Sequence, residues 1–372
     1  MAKTSDNHRF NSDLLTNSGD IELAAHSYQT LTHVLDHPEL RALFTYYDVR
    51  ANTAKQRSRR AGLLAIFLGT FALLSASAEA FSHSPNESSM LLGMAAALAG
   101  ILSVAIGLWG VLHTKSKRQW LCDRLMTERL RQFHFQTFVF RLPEIVASLG
   151  TSEGAKAYND ARCRLFDEFK TKYQGHLEAE LTEILDEGES SDKWLYDPTP
   201  IPESLLKADL GEVFRAYRTL RITHQLQYAN HKLRPEGSLW SPSLRKQAAF
   251  LSQTAFVCVL LLFVIHLVIA FALAVPSFVA MGSFVNEPLV HVTTIWCAIL
   301  ALAIRAVEEG FGIRNEIERF RDYRSSITAI HERFNRTTDS AEKLRIMEEM
   351  ERLAFEEMCS FLRDANDTRF VM

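Results

Sequence analysis

The side chains of this sequence that could do chemistry lie in or beside long apolar stretches. Glu79 stands near the end of one stretch and His266 near the middle of another. An ionisable group inside a membrane span is costly to charge and often marks a functional position. For His266 three alternatives stand: a neutral ring hydrogen-bonded inside a helical bundle, a gating or proton-linked role, and a tolerated position facing lipid. For Glu79 the alternatives are a carboxylate that reaches the membrane interface and one at a pore mouth.

The motifs of common enzyme classes are absent from the sequence. It contains no Gly-rich phosphate loop and no HExxH, CxxC or GxSxG pattern. His224 and His231 lie seven residues apart on one predicted helix face, but no cysteine or second histidine pair completes a metal site. The five cysteines show neither disulfide nor zinc spacing. We therefore expect no enzyme activity, no metal, no cofactor and no nucleic-acid partner.

Four apolar stretches organise the chain of 372 residues. The clearest, 90–113, has no charged side chain before its end. At 1.5 Å per residue it is long enough to cross a hydrocarbon core of roughly 30 Å. The other three cover 61–81, 248–275 and 291–304, and the last becomes long enough to span when counted from Val285. This pattern predicts an all-α membrane protein with four transmembrane helices, arranged as two hairpins that continue into long cytoplasmic helices.

Small residues recur along the stretch 90–113. Gly93, Gly100 and Gly107 repeat every seven residues, and Ser103 lies between the last two. Such a stripe lets another helix approach closely. Two interpretations remain open. In the first, the stripe packs inside the bundle of one chain; in the second, it lines or assembles an oligomeric pore. We count these four residues, with His266, as pore or helix-packing candidates.

Basic residues beside the apolar stretches predict the orientation in the membrane. Lysines and arginines flank the ends of the stretches that lead to long polar segments, whereas the short connections 83–89 and 276–288 contain none. By the positive-inside rule, both termini and the middle segment are cytoplasmic. We expect Arg305 to reach the interface or to pair with Glu308 or Glu309. The predicted interface anchors are Arg59, Arg60, Lys117, Trp120, Lys246 and Arg305.

The polar segments are predicted to be helical, with a break or helix start at His37–Pro38 and one charged helix from Arg305 to about Arg336. Trp120 opens an apolar stripe on the helix after the second span.

The chain contains an internal repeat, in which one unit occurs twice: helix, span, short turn, span, long charged helix. The expected segments are 1–60, 61–113, 114–247, 248–304 and 305–372, and the polar first segment predicts no signal peptide.

The repeated unit resembles the SLATT family of bacterial two-span membrane proteins. The first half carries the resemblance best, in 43–60 (LFTYYDVRANTAKQRSRR) and 119–135 (QWLCDRLMTERLRQFHF). The second half shows a similar pattern in 220–232 and 316–334. This chain differs from the usual form because it holds two units in one polypeptide. The resemblance implies a pore-forming or membrane-perturbing effector of antiphage systems, often found beside enzymes that make nucleotide signals.

The sequence thus favours a bacterial inner-membrane effector that oligomerises and opens or disrupts the bilayer when triggered from the cytoplasm. Its expected partners are the lipid bilayer, further copies of the chain, and a cytoplasmic sensor or nucleotide-signal system. The alternative is a membrane scaffold whose long helices recruit a cytoplasmic partner.

Overall fold

The computed structural model describes residues 11–80, 87–108, 114–186, 193–197, 201–202, 205, 209–234, 243–274 and 288–368. Within these ranges the regular elements are all helices, which confirms the predicted all-α class. Both predicted short connections lie largely outside the described residues. The α-helices of ten or more residues are α1 Ser18–Ser27, α2 Pro38–Ala80, α3 Glu87–Ile106, α4 Thr114–Phe140, α5 Ser152–Asp186, α6 His224–Leu233, α7 Leu244–Ala274, α8 Pro288–Gly310, α9 Ile313–Arg336 and α10 Ser340–Asp367.

Three of these helices, α2, α7 and α8, contain windows long and apolar enough to cross a membrane. The apolar part of α3, Met90–Ile106, is shorter. Large apolar side chains point outward along all four helices, with Phe67, Leu98 and Phe256 each more than 60% exposed. Because a soluble bundle would bury most such side chains, their exposure supports association with a membrane.

Pro38 begins α2, as the sequence predicts. The His37 side chain caps this helix, since its Nδ1 accepts the backbone N–H of Leu40 at 3.1 Å. From there α2 runs to Ala80 in one helix, which confirms the prediction of a helix that enters the apolar stretch without a break.

The predicted single helix Arg305–Arg336 is wrong in one respect, because the structure divides it into α8 and α9. Gly312 lies between them with a φ of 57°, in the left-handed region that favours glycine. The helical stretch before the third apolar segment also differs from a plain α-helix. It begins at Gly211 and includes a π-helical turn, Arg218–Thr223, before α6.

The described residues form two compact units. The polar unit takes the described residues within Met1–Thr53, Arg118–Arg234 and Ile317–Asn366. The apolar unit takes those within Ala54–Lys117, Pro235–Glu316 and Asp367–Met372. Segments far apart in sequence therefore build each unit, because the polar segments pack with one another and the apolar segments do the same.

An aromatic cluster fills part of the polar unit. The Phe133 ring on α4 packs against Phe166 and Phe169 on α5, with ring centroids 5.3 and 5.1 Å away. Tyr196, from the non-helical segment 193–197, lies 5.6 Å away on the same ring. The Gln136 side chain fixes this segment, since its amide donates to the Lys193 carbonyl at 2.9 Å and accepts from the Leu195 N–H at 2.8 Å.

Hydrogen bonds also join helices of the apolar unit. Trp296 on α8 donates its indole N–H to the Leu74 carbonyl and to Ser77 Oγ on α2, at 3.2 and 3.0 Å. These contacts satisfy the indole N–H of Trp296 on an apolar surface, where an unsatisfied polar group would be costly.

Candidate functional site

The small-residue stripe on α3 faces α2 of the same chain. Ser103 Oγ donates to the Ala65 carbonyl at 2.7 Å. A Cβ added at Gly100 would lie 3.6 Å from that of Ala72. In this structure the stripe therefore forms a close-packing face within one chain, and a pore lined by it would require the two helices to separate. Gly107 differs, because a Cβ there would meet no described atom within 4 Å.

Glu79 lies against the glycine at the other end of the stripe. Its carboxylate occupies the space that a Cβ at Gly93 would fill, so Gly93 lets the side chain lie on the backbone of α3. The Glu79 side chain is half-buried. The structure thus places the one carboxylate of the four apolar stretches beside a neighbouring helix.

The position of His266 differs from the first sequence-based alternative, a ring hydrogen-bonded inside a helical bundle. The ring is exposed on the outside of α7 instead of being enclosed in the bundle. Its Nδ1 lies 2.9 Å from the Leu262 carbonyl of its own helix. Sequence periodicity could not show this, because the side of a uniformly apolar helix that becomes buried depends on its neighbours. The ring therefore has a hydrogen-bond partner, but it faces outward from the helix.

Arg305 pairs with Glu308, one of the two partners that the sequence predicts. The distance is 2.6 Å, and Arg314 approaches the other oxygen of the same carboxylate at 2.6 Å. Glu308 is only 4% exposed, whereas both arginine side chains are more than half exposed. Two solvent-accessible cations therefore compensate one buried carboxylate where α8 leaves the apolar region.

The other predicted basic anchors have varied surroundings. The Arg59 guanidinium stacks over the Phe311 ring at 4.9 Å. Lys117 Nζ donates to the Thr368 carbonyl at 3.0 Å, and burial lowers the pKa of this lysine although Asp367 opposes the shift. Arg60 and Lys246 are exposed, as anchors at a membrane surface would be.

Trp120 does not fit its predicted role as an interfacial anchor. It is 3% exposed and packs on Phe361 of α10, with ring centroids 6.0 Å apart. An aromatic anchor must reach the lipid headgroups, which a side chain enclosed by protein cannot do. Trp120 is therefore a core residue of the polar unit.

Charged residues buried in the polar unit form a feature that the sequence analysis missed. Arg131 donates through Nε to Asp13 at 2.8 Å and through Nη1 to Glu128 at 2.8 Å. Burial alone would raise the pKa of Glu128, but Arg131 and Arg124 outweigh it and lower this pKa to about 2. The carboxylate thus stays ionised inside the fold.

A signal for such residues does exist in the sequence. Glu351 falls among Met347, Met350 and Phe355 on the apolar stripe of α10, and all four are buried. A charged residue at a core position of an amphipathic helix implies a buried partner. The identity of that partner depends on the tertiary fold.

The two histidines singled out in the sequence do not meet. His224 is buried and lies 4.0 Å from Asp13 Oδ2, while His231 is half-buried further along α6. Within the described ranges, no group of three or more His, Cys, Asp and Glu side chains could hold a metal ion. His224 therefore belongs to the buried charge cluster around Arg131.

One serine–histidine contact looks superficially catalytic. His33 Nε2 lies 2.7 Å from Ser148 Oγ, but Ser148 is 2% exposed and donates to the Ile145 carbonyl. A nucleophile must be reachable by its substrate, so this contact is structural. A shallow cleft lies near it, bordered by Tyr158 and Arg162.

No protein-family model, no curated protein and no solved structure matches this chain.

Proposed function

We propose that this protein is a four-span effector of the bacterial inner membrane, which oligomerises and opens or disrupts the bilayer when triggered from the cytoplasm. The observation that carries this proposal is α2, one helix whose residues belong to both units: Pro38–Thr53 to the polar unit and Ala54–Ala80 to the apolar unit. A change of conformation in the polar unit thus has a covalent, helical path to a candidate span.

The proposed topology places the spans within α2, α3, α7 and α8, with both termini in the cytoplasm. Its support is the apolar surface of these helices and the distribution of lysine and arginine around them. The polar unit is then cytoplasmic, where a sensor or a nucleotide signal could reach it. A role in antiphage defence rests on the resemblance to the SLATT family.

A trigger can act only if it binds one of two states more tightly than the other. Buried ion pairs join segments of the polar unit that are distant in sequence. In the proposal, these pairs hold the polar unit in one of the two states. In the structure the stripe on α3 packs against α2, and the proposal takes this arrangement as the resting state. Conduction then requires either rearrangement of this pair or a path between several copies.

Cysteine accessibility tests the topology. Cys163 is exposed on the polar unit, so a membrane-impermeant maleimide should label it only after the cells are permeabilised. In a Cys163→Ser background, Ser84→Cys and Ser283→Cys should be labelled in intact cells. Labelling of Cys163 in intact cells, or of either introduced cysteine only after permeabilisation, would contradict the proposed orientation.

Membrane potential tests the function. Induced expression, followed with a potential-sensitive dye and by counting survivors, should cause rapid depolarisation and growth arrest, and the purified protein should release dye from vesicles. Gly100→Leu, at matched membrane levels, tests whether the stripe takes part. Ala95→Leu, at an exposed position of α3 outside the stripe, is its control. Normal potential and tight vesicles at levels where the protein is demonstrably inserted would overturn the effector proposal.

The alternative is a scaffold, in which the spans are anchors and the polar unit recruits a partner. The close contact of α2 with α3 favours it, since a sealed bundle suits an anchor. Chemical crosslinking of the full-length protein in cells should then capture one soluble partner at fixed stoichiometry, without depolarisation. Depolarisation without such a partner would reject the scaffold.

A further inference from the structure

We propose that Arg305 and Arg314, which are held at one place by Glu308, bind the phosphate of an anionic phospholipid. The headgroup is a phosphodiester with a net negative charge, as in phosphatidylglycerol, and the acyl chains lie on the apolar helices beside it. This inference rests on the proposed function only in that the apolar unit lies in a bilayer. It requires neither a pore nor a particular orientation of the chain.

One buried carboxylate fixes the two guanidinium groups. Glu308 accepts from Arg305 Nη1 through Oε2 and from Arg314 Nε through Oε1, at 2.6 Å each. The arginine side chains are 51% and 61% exposed, whereas Glu308 is 4% exposed. Each guanidinium carries several N–H donors, and the bond to Glu308 uses only part of this set. The Glu308 triad, Arg305–Glu308–Arg314, thus has a net positive charge and two oriented sets of donors on its exposed side.

Contacts within the apolar unit bring α2 and α7 to the same place. The Arg59 guanidinium of α2 stacks over the Phe311 ring at 4.9 Å, and its Nη2 donates to Gln247 Oε1 of α7 at 3.5 Å. Phe311 lies three residues from both Glu308 and Arg314 in the sequence. The charge of Arg59 therefore adds to that of the triad.

An excess of positive charge around the triad favours an anionic occupant. The segments 57–60, 245–246 and 305–314 contain seven basic residues but only two acidic ones, Glu308 and Glu309. Beside hydrocarbon the dielectric is lower than in water, so an anion is attracted to these cations more strongly. Arginine suits phosphate in particular, because its planar fork can bond two oxygens of one phosphate group.

Exposed apolar side chains on the same helices favour a lipid as the source of the phosphate. Leu64 and Phe67 follow Arg60 by one and two turns of α2 and are 47% and 66% exposed. Phe250 follows Lys246 by one turn of α7 and is 56% exposed. A soluble phosphate compound cannot cover such a surface, whereas acyl chains can. The basic and apolar parts of this region therefore match the two parts of a phospholipid.

Native mass spectrometry of the purified full-length protein in detergent measures lipid binding directly. Phosphatidylglycerol should bind more tightly than phosphatidylcholine with the same acyl chains, because only the former has a net negative charge. Equal binding of the two lipids overturns the proposal.

A variant with a matched control separates this site from general charge. Arg305→Gln leaves Arg314 to compensate Glu308, so the fold should persist. Arg345→Gln, at a side chain 78% exposed on the polar unit, changes the net charge equally and is the control. The affinity for phosphatidylglycerol should fall about 5-fold in Arg305→Gln and stay unchanged in the control. Equal affinities in the two variants overturn the proposal.

A second variant removes both arginines without leaving a buried charge unpaired. It combines Arg305→Gln, Glu308→Gln and Arg314→Gln, because removing the carboxylate together with its partners avoids the cost of an uncompensated ion. Thermal unfolding in detergent checks that it is folded. Its loss of affinity for phosphatidylglycerol should exceed that of Arg305→Gln. Wild-type affinity in the folded variant contradicts the proposal.

A soluble headgroup separates the two sources of phosphate. Glycerophosphoglycerol carries the same phosphodiester as phosphatidylglycerol but has no acyl chains. It should fail to displace phosphatidylglycerol at the concentrations at which the lipid itself binds. Displacement at those concentrations would mean that the site takes a soluble phosphate compound, which overturns the assignment to a lipid.

The lipid site and the effector function fail separately. Lipid binding is measured in detergent without membrane damage, and depolarisation does not require a preference among lipids. Depolarisation by a chain that binds both lipids equally would reject only the lipid site. A preference for phosphatidylglycerol without depolarisation or vesicle leakage would reject only the effector function.

Discussion

Arg221 and Glu351 are 130 residues apart in the sequence and form a two-pronged ion pair in the polar unit, with Nε–Oε1 and Nη2–Oε2 distances of 2.9 Å each. Tyr217 donates its hydroxyl to the same carboxylate at 2.7 Å. Burial raises the pKa of this tyrosine well above its usual value, and the Glu351 charge adds to the shift. Three polar groups thus satisfy one another where water is excluded.

Glu351→Gln should therefore destabilise the protein strongly. The amide nearly preserves the shape but leaves the Arg221 charge buried without compensation, which costs about 3–5 kcal/mol. Urea unfolding of the purified protein in detergent measures this loss. Glu349→Gln is the control, since its partner Arg333 and Glu349 itself are each at least a third exposed, and such pairs contribute at most about 1 kcal/mol. Equal losses in the two variants would contradict the importance of the buried pair.

Trp120→Ala separates a core residue from a membrane anchor. Removing a buried indole that packs on Phe361 should lower the free energy of unfolding by about 3–5 kcal/mol. Leu23→Ala, at a side chain 67% exposed on the polar unit, should change it little. Thermal unfolding in detergent is the measurement. An anchor would instead show normal stability in detergent together with weaker retention in the membrane.

Acid should weaken the polar unit through two buried histidines. Burial, assisted by Arg162, lowers the pKa of His37 to about 3, and burial, assisted by His37, lowers that of His134 to about 3. Below about pH 6.5 the unfolded chain protonates these rings but the folded chain does not. The free energy of unfolding should therefore fall as the pH drops from 7 to 5, by up to about 1.4 kcal/mol per pH unit for each ring.

His37→Asn tests this sign. Asparagine can still accept the Leu40 N–H and cap α2, but it does not titrate. The loss of stability between pH 7 and pH 5 should shrink by the share of one ring. An unchanged slope in urea unfolding would show that His37 is protonated equally in both states.

The stripe on α3 should tolerate bulk at one end and not in its middle. Gly100→Leu places three further carbon atoms beyond a Cβ that would already touch Ala72, so we expect a loss of about 1–3 kcal/mol. Gly107→Leu enters open space among the described atoms and should be nearly neutral. Thermal unfolding in detergent compares the two. Similar melting temperatures would indicate that α2 and α3 are not closely packed in solution.

Local signals predicted much of the helical layout. Pro38 fixes the start of α2, and the apolar stretches set where α7 and α8 lie. The break at Gly312 was missed because a single glycine among helix formers does not by itself end a helix. Trp120 was misassigned because its position beside basic residues suits either an interface or a core, and only the packing of α10 decides.

The pairing of the buried charges lay beyond sequence reasoning for a related cause. Arg131 meets Asp13 and Arg221 meets Glu351 across more than 100 residues, so no local pattern pairs them. The exposed position of His266 depends in the same way on which helices cover α7. Sequence periodicity identifies the faces of a helix, but the neighbours decide which face is buried.

Gln136 bonds the segment 193–197 only through main-chain groups, the Lys193 carbonyl and the Leu195 N–H. Main-chain groups are the same for nearly every amino acid, so this attachment places little demand on the side chains at 193 and 195. Tyr196 alone inserts a buried ring. Random mutagenesis should therefore find positions 193 and 195 permissive and Gln136 and Tyr196 restrictive, so that the segment can diverge in sequence while keeping its place in the fold.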